Sequence, residues 1–295
     1  MTLIGHIKEI WRYPVKSMRG ERLESCAIGD KGLSGDRGWA VRDEMAGEIR
    51  GGRQIPRLLH CRARYQREPE AEPYPAALIE LPDGRELASD DPAAATALSE
   101  WLERPVTVWP LRAPADAEHY RRLPGTIDDL REQFGRVAGE PLPDMAIFPP
   151  ILMQYVAIPG TYFDVLPLHL LTTASLAYLA ARNPAADWKV QRFRPNVVVD
   201  SGALSGLIEA HWAGRTIRLG DVELDCYSPA PRCAITAHAQ GQAVEKDPSI
   251  LRTIVREANQ NLGVYCSVKT AGRIQIGDTV EVSGNPPRET MGAVT

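Results

Sequence analysis

Two short apolar runs, residues 214–219 and 222–227, flank Gly220-Asp221, a strong hairpin signal. The same device is expected at Gly277-Asp278, between residues 274–276 and 280–282. Glycine and aspartate accept the backbone angles that tight reversals need, so such pairs fold the chain back on itself. Short alternating runs closed by glycine or proline recur from the start, at 3–13, 23–28, 39–42, 58–65 and 77–81. The 24 prolines and 24 glycines are scattered along the chain, as many short strands and turns require. No alternating strand–helix pattern and no repeat is visible. These features predict a mainly β protein with flanking helices (α+β), in which a β-barrel-like N-terminal domain packs on a second β-barrel domain.

Helices are expected where capping signals meet an apolar stripe. Asp91-Pro92 opens one through residue 103, and Thr172 or Thr173 caps another that Asn183-Pro184 stops. Asp247-Pro248 opens a third, expected to run to residue 262 and end at Gly263. The stretch 111–166 is rich in proline and charge, carries one expected helix at 127–137, and reads as an insertion or linker. The expected division is therefore 1–110, 111–166 and 167–284, with 285–295 a disordered tail.

Composition excludes several classes. With 295 residues, 44% apolar content and a net charge of −4, the chain has ample core and no global field to recruit nucleic acid or anionic lipid. The first residues lack a signal-peptide pattern, and no apolar run is long enough to span a membrane. Five cysteines, an odd number without a C-x-x-C pair, point to reduced thiols in the cytoplasm and away from structural zinc.

One of them stands apart. In D-C-Y-S-P-A-P-R-C-A-I-T, Cys233 follows Arg232, and Pro229 and Pro231 are expected to stop strand pairing just before it. A strand is expected to restart at Ala234. A cationic neighbour favours thiolate, the form that binds metals. The plain alternative is a small buried cysteine at a strand start.

Four polar clusters fall at strand ends or turns: Lys16-Ser17, Asp36-Arg37, Thr172-Thr173-Ala174-Ser175 and Arg192-x-Arg194-Pro195-Asn196. Guanidinium forks, an ammonium, hydroxyls and a helix N-terminus together suit a phosphate. Taken singly, each also reads as a solvated turn, a local ion pair or a helix cap. Only their meeting in space beside Cys233 makes a site.

The ordered pieces Y-P-V-K-S, G-D-R-x-W, L-L-T-x-A-S-L, R-F-R-P-N, R-C-x-x-T and G-x-Y-x-x-V-K-x-x-G-x-I-x-x-G-D resemble the MOSC family, named for the C-terminal domain of molybdenum cofactor sulfurases. The resemblance is to its two-domain members of the amidoxime-reducing type. It implies a molybdenum cofactor (molybdopterin) with Cys233 as the protein thiolate on molybdenum. It further implies that Lys16, Ser17, Arg37, Arg194 and Arg232 hold the pterin and its phosphate. Thr173, Ser175 and Tyr265 would line the same pocket, with Ser228 and Asn196 beside them. The implied activity is reduction of small N-oxygenated compounds, with electrons from a separate ferredoxin, flavoprotein or cytochrome. A cofactor carrier or a sulfur relay through a Cys233 persulfide is the alternative. The family label also associates the domain with pyridoxal phosphate. No lysine-bearing pyridoxal domain is visible here, so a complete sulfurase is not expected.

Overall fold

Thr2–Arg12 is the longest strand and ties the two halves of the chain together. In the computed structural model, which describes residues 1–284, it pairs antiparallel with Thr279–Val282 on one edge and Val197–Asp200 on the other. The order continues from Val197–Asp200 through Leu168–Thr172, Asn261–Thr270, Val222–Pro231 and Thr216–Leu219 back to Thr279–Val282. Seven strands thus close a barrel. Closure removes the free edges that an open sheet leaves exposed.

Alternate residues of each stave fill the barrel. Ile4, Ile7 and Ile10 meet Leu168, Leu170, Val197, Val199, Leu224 and Val264 in one buried core. Leu168/Leu170 and Val197/Val199 keep the period-two pattern of a strand with one face inward, while register shifts at Leu3/Gly5 and Ile7/Glu9 stretch the spacing to three in the first strand. Among the barrel strands, pairing is parallel only between Leu168–Thr172 and Val197–Asp200, which a helix in the intervening chain connects.

A second core lies among two three-stranded sheets and helix α1 (Pro92–Leu102). Trp39–Asp43 pairs with Glu48–Ile49 and Val106–Pro110, and Ala77–Glu80 with Arg62–Tyr65 and Glu86–Ala88. Val41, Leu58 and Ile79 pack there against Ala97, Leu98 and Leu102 of α1. Asp91 caps α1 by accepting from the Ala93 N–H, and Pro92 occupies its first turn, as expected.

Residues 112–164 join the two cores. The segment holds 3₁₀ turns and the short helix α2 (Ile127–Gln133), which ends four residues before the expected 137. Its Tyr120 and Tyr162 are buried against Ala40 and Ile49. At its far side Glu140 pairs with Arg252 on helix α4 (Pro248–Glu257). Helix α3 (Thr173–Arg182) is capped by Thr172, whose hydroxyl accepts from the Ser175 N–H.

Four expectations are corrected. Gly277-Asp278 is not a hairpin: Gly272–Gln275 pairs with Ser25–Gly29, while Thr279–Val282 belongs to the barrel. Helix α4 stops at Glu257, because Asn259 and Gln260 take positive φ and turn the chain into the next strand. The strand before Cys233 runs through both prolines to Pro231, with register shifts on the way. Thr216–Leu219 covers its other edge only as far as Asp225, so the proline stretch has an open edge where a missing N–H loses no ladder bond. No strand restarts at Ala234; Ala234–Ala237 is a 3₁₀ turn. The expected tail after Gly284 lies outside the described residues.

Candidate functional site

Cys233 sits between the end of a barrel strand and that 3₁₀ turn, partly exposed, whereas the other four cysteines are buried. Gln260 holds the chain just before it. The Arg232 N–H donates to the Gln260 carbonyl at 2.8 Å. The Gln260 amide donates to the Arg232 carbonyl at 2.7 Å and to the Phe134 carbonyl at 2.9 Å. Arg232 itself donates from Nη2 to the Phe193 carbonyl at 2.7 Å. These bonds fix the backbone that leads into Cys233.

Both halves of the chain supply cations to this region: Lys16 and Arg37 from the first, Arg194 from the second. Arg194 lies 4.2 Å and Arg37 4.7 Å from the centre of the Tyr13 ring, so one aromatic carries two guanidinium groups. Arg194 donates to the Met18 carbonyl at 2.8 Å. Arg37 pairs with Asp36, which also accepts from the Asn196 amide at 2.9 Å. Lys16 donates to the Tyr162 carbonyl and to Asp164 at 2.5 Å. Tyr265 lies 5.6 Å from the His169 ring and within the electrostatic reach of Arg232, Cys233, Asp164 and Arg37. Ser228 is buried opposite Tyr265 on the adjoining strand.

Strain marks the same place. Ser17, Arg37 and Arg194 all have positive φ, at 68°, 50° and 52°. Non-glycine residues hold such angles only where the surroundings enforce them, commonly at functional sites. Two buried donors here also lack any partner: Arg194 Nη2 and Arg232 Nε. An unpaired buried donor is costly, so these groups are suited to an anionic or acceptor-rich ligand. Burial pulls the Arg194 guanidinium down to about 10, with a smaller contribution from Arg37.

Two of the sequence-derived candidates stand apart. Thr173 bonds Ser201 at 3.1 Å, and Ser175 donates to Glu209 at 2.5 Å, both at the start of α3. Neither bonds any residue of the Cys233 cluster among the described residues. Conversely, sequence reasoning missed Asp164, Gln260 and Arg53. Asp164 closes the patternless 111–166 stretch and gives no local signal. Its side chain is 70% exposed, although Lys16, Arg37 and Arg53 all act on it, as for a group lining a recess.

The protein mass around the recess opposes charge on Asp164, but Lys16, Arg37 and Arg53 override it and hold the carboxyl well below its usual range. Burial pulls Lys16 below the ordinary lysine value while Asp164 pulls against it. His169 is kept neutral by burial and by Arg232. Burial likewise lowers His60, His119 and His238. Below about pH 6.5 the unfolded chain therefore takes up protons that these folded rings refuse, and stability must fall. Thermal melts are expected to show Tm dropping between about pH 7 and 5, then again below the ordinary carboxylate range as Glu140 and Asp164 lose their charge. A Tm that stays flat between about pH 7 and 5 would mean that these rings accept protons in the folded state.

Among the described residues no group of three or more His, Cys, Asp or Glu side chains could hold a metal. A metal on Cys233 would have to bring its remaining ligands with it, as an organic cofactor can. The buried unpaired donors fit that requirement.

Two family models match the chain: the MOSC N-terminal β-barrel domain over residues 4–115 and the MOSC domain over 161–281. Among curated proteins, mitochondrial amidoxime reducing component 2 of Bos taurus is 26% identical over 94% of this chain and 83% of its own length. Mitochondrial amidoxime-reducing component 1 of Homo sapiens is 26% identical over 95% and 84%. Among solved structures, the YUAD protein of Bacillus subtilis aligns over 94% of both chains at 11% identity, with a TM-score of 0.44. YiiM of Escherichia coli covers 44% of this chain and 60% of its own at 16% identity, with a TM-score of 0.32.

Proposed function

The chain belongs to the MOSC family in its two-domain form, and on that premise we propose that it is a molybdenum-cofactor-dependent reductase of N-oxygenated compounds. Amidoximes, hydroxylamines and N-hydroxylated bases are the substrate class, after the relatives named for amidoxime reduction. The observation that carries the reading is an accessible cysteine beside buried guanidinium donors that have no partner. Cys233 would supply the protein sulfur to molybdenum, a metal that soft thiolate ligands suit. Arg194 and Arg232 would donate to the pterin or its phosphate, with Lys16, Ser17, Arg37 and Asn196 completing the cradle. Asp164 would fix the Lys16 ammonium within it. The bound group supplies oxygen-atom and electron transfer. The chain would orient the sulfur through Gln260 and keep the pocket cationic.

Electrons would arrive from a separate transfer protein. No helix among the described residues is long and apolar enough to cross a membrane. All five cysteines carry free thiols, which supports a reducing, cytoplasmic compartment. The test is metal analysis and pterin fluorescence on protein purified from a host that makes the cofactor. About one molybdenum per chain, with reduction of benzamidoxime by a chemical donor, is the expected result. Protein free of molybdenum, with a persulfide mass on Cys233, would establish the sulfur relay instead.

A further inference from the structure

Arg53 and Arg122 have no place in the proposed cofactor cradle, yet both stand beside it. Arg53 belongs to the turn that follows the strand Glu48–Ile49. Gly51 lets that turn lie on the Lys16-Ser17 corner: a Cβ there would come within 2.7 Å of Ser17 Oγ and 3.7 Å of Lys16 Cε. Arg122 arrives from the 112–164 segment. Its backbone N–H donates to the Gln154 carbonyl at 2.9 Å, and its Nε to the Tyr155 carbonyl at 3.3 Å. The next residue, Leu123, donates its N–H to Glu48 Oε2 at 2.8 Å, which ties this segment to the strand before Arg53. Both arginines lie in the field of Asp164 and of each other. Asp164, largely exposed, and Cys233 in turn both act on Tyr265, so the pair borders the open side of the Cys233 recess.

These two guanidinium groups are not neutralised within the protein. Among the described residues neither forms an ion pair, the Arg53 side chain makes no hydrogen bond, and that of Arg122 makes only the bond from Nε. Their fork ends are not sealed: both residues are partly exposed, and none of these nitrogens is a buried donor without a partner. The carboxylates nearby are engaged elsewhere. Asp164 accepts from Lys16 at 2.5 Å, and Glu48 accepts from Arg50 at 3.2 Å as well as from Leu123. Asp129, in the field of Arg53, accepts from the Thr126 N–H at 2.6 Å and its hydroxyl at 2.8 Å. Burial and Arg53 lower the Arg122 guanidinium below its ordinary value, against the pull of Glu48 and Asp164, and an added anion would relieve it. Two reachable planar forks in one field suit a carboxylate, which accepts paired N–H groups.

We propose that Arg53 and Arg122 form an anion-accepting rim at the Cys233 recess that selects, within the N-oxygenated class, substrates carrying a carboxylate. The selection rests on the reductase reading of Cys233, whereas anion binding at the rim rests on the two arginines alone.

The test compares para-carboxybenzamidoxime with benzamidoxime on the cofactor-loaded full chain. With a chemical donor, kcat/KM is expected to favour the carboxylated substrate at least about tenfold, through KM, and the ratio to fall toward one in the Arg53→Gln/Arg122→Gln double variant. Added salt, from about 20 mM to about 500 mM, should shrink the same ratio. Calorimetric titration without donor should show the same tenfold preference in binding. If neither compound is reduced, the reductase reading falls and the titration alone decides the rim. Should the double variant fail to fold, each single variant is expected to lower the preference severalfold. Equal binding of the two compounds, or a preference that survives the double variant, would overturn the assignment. So would loss of molybdenum from the double variant, which would place the arginines on the cofactor's phosphate.

Discussion

Cys233→Ala is expected to leave a folded protein without reductase activity and with little molybdenum. Removing even an outer-shell partner of a metal site costs about 10–100-fold, so losing the protein's own sulfur should cost at least about 100-fold. The fold should tolerate the change. The side chain is partly exposed, and no hydrogen bond of its sulfur holds neighbouring elements together among the described residues. Far-UV circular dichroism and Tm should match the unaltered chain, while metal content and benzamidoxime turnover collapse. Full turnover in this variant would remove Cys233 from the reaction.

Arg194→Ala is expected to release the cofactor rather than unfold the chain. Nη2 is a buried donor with no protein partner, so its value lies in a bond to something else. Hydrogen bonds to charged groups are worth about 1.5–3 kcal/mol, which corresponds to roughly 10–150-fold in affinity. Within the protein the guanidinium gives up one bond to the Met18 carbonyl and its contact with Tyr13. Tm should shift by only a few degrees, about what one neutral bond is worth in a chain of this length. Arg194→Lys should rescue part of the retention, because an ammonium keeps charge but lacks the planar fork. Molybdenum content after gel filtration reads the result. Retention equal to the unaltered protein would count against a cofactor role for this arginine.

The strands were readable because barrel staves bury alternate residues, as at Val197 and Val199; in the first strand two one-residue slips space the inward Ile4, Ile7 and Ile10 by three. Helix starts were readable because Asp91, Thr172 and Asp247 are local caps. Partners were not readable. Gly277-Asp278 has the composition of a hairpin, yet the strands on either side pair with residues far away in the sequence. Local turn chemistry is the same whether the flanking strands meet or diverge. Asp164 and Gln260 were invisible for a related reason. Both act through long-range bonds, Asp164 to Lys16 and Gln260 to the backbone of Arg232 and Phe134, that no periodicity announces. Lys16, Arg37 and Arg194 stood out singly as cations at strand ends and turns, and only the order of motifs shared with the MOSC family joined them into one site. That order also carried Thr173 and Ser175, which the structure places with Ser201 and Glu209.

The first strand has a cost for dissection of this molecule. Thr2 pairs with Val282, so the barrel cannot be sealed without residues from both extremities of the described chain. A fragment limited to residues 161–281 would expose two unsatisfied ladders, on Val197–Asp200 and Thr279–Val282, and should self-associate. Sealing also waits on a loop of nearly the entire polypeptide, which slows folding. The same adjacency suggests a remedy: linking the ends and opening an exposed turn such as Asp83-Gly84 should yield a permuted chain in which that stave is synthesised next to its neighbour.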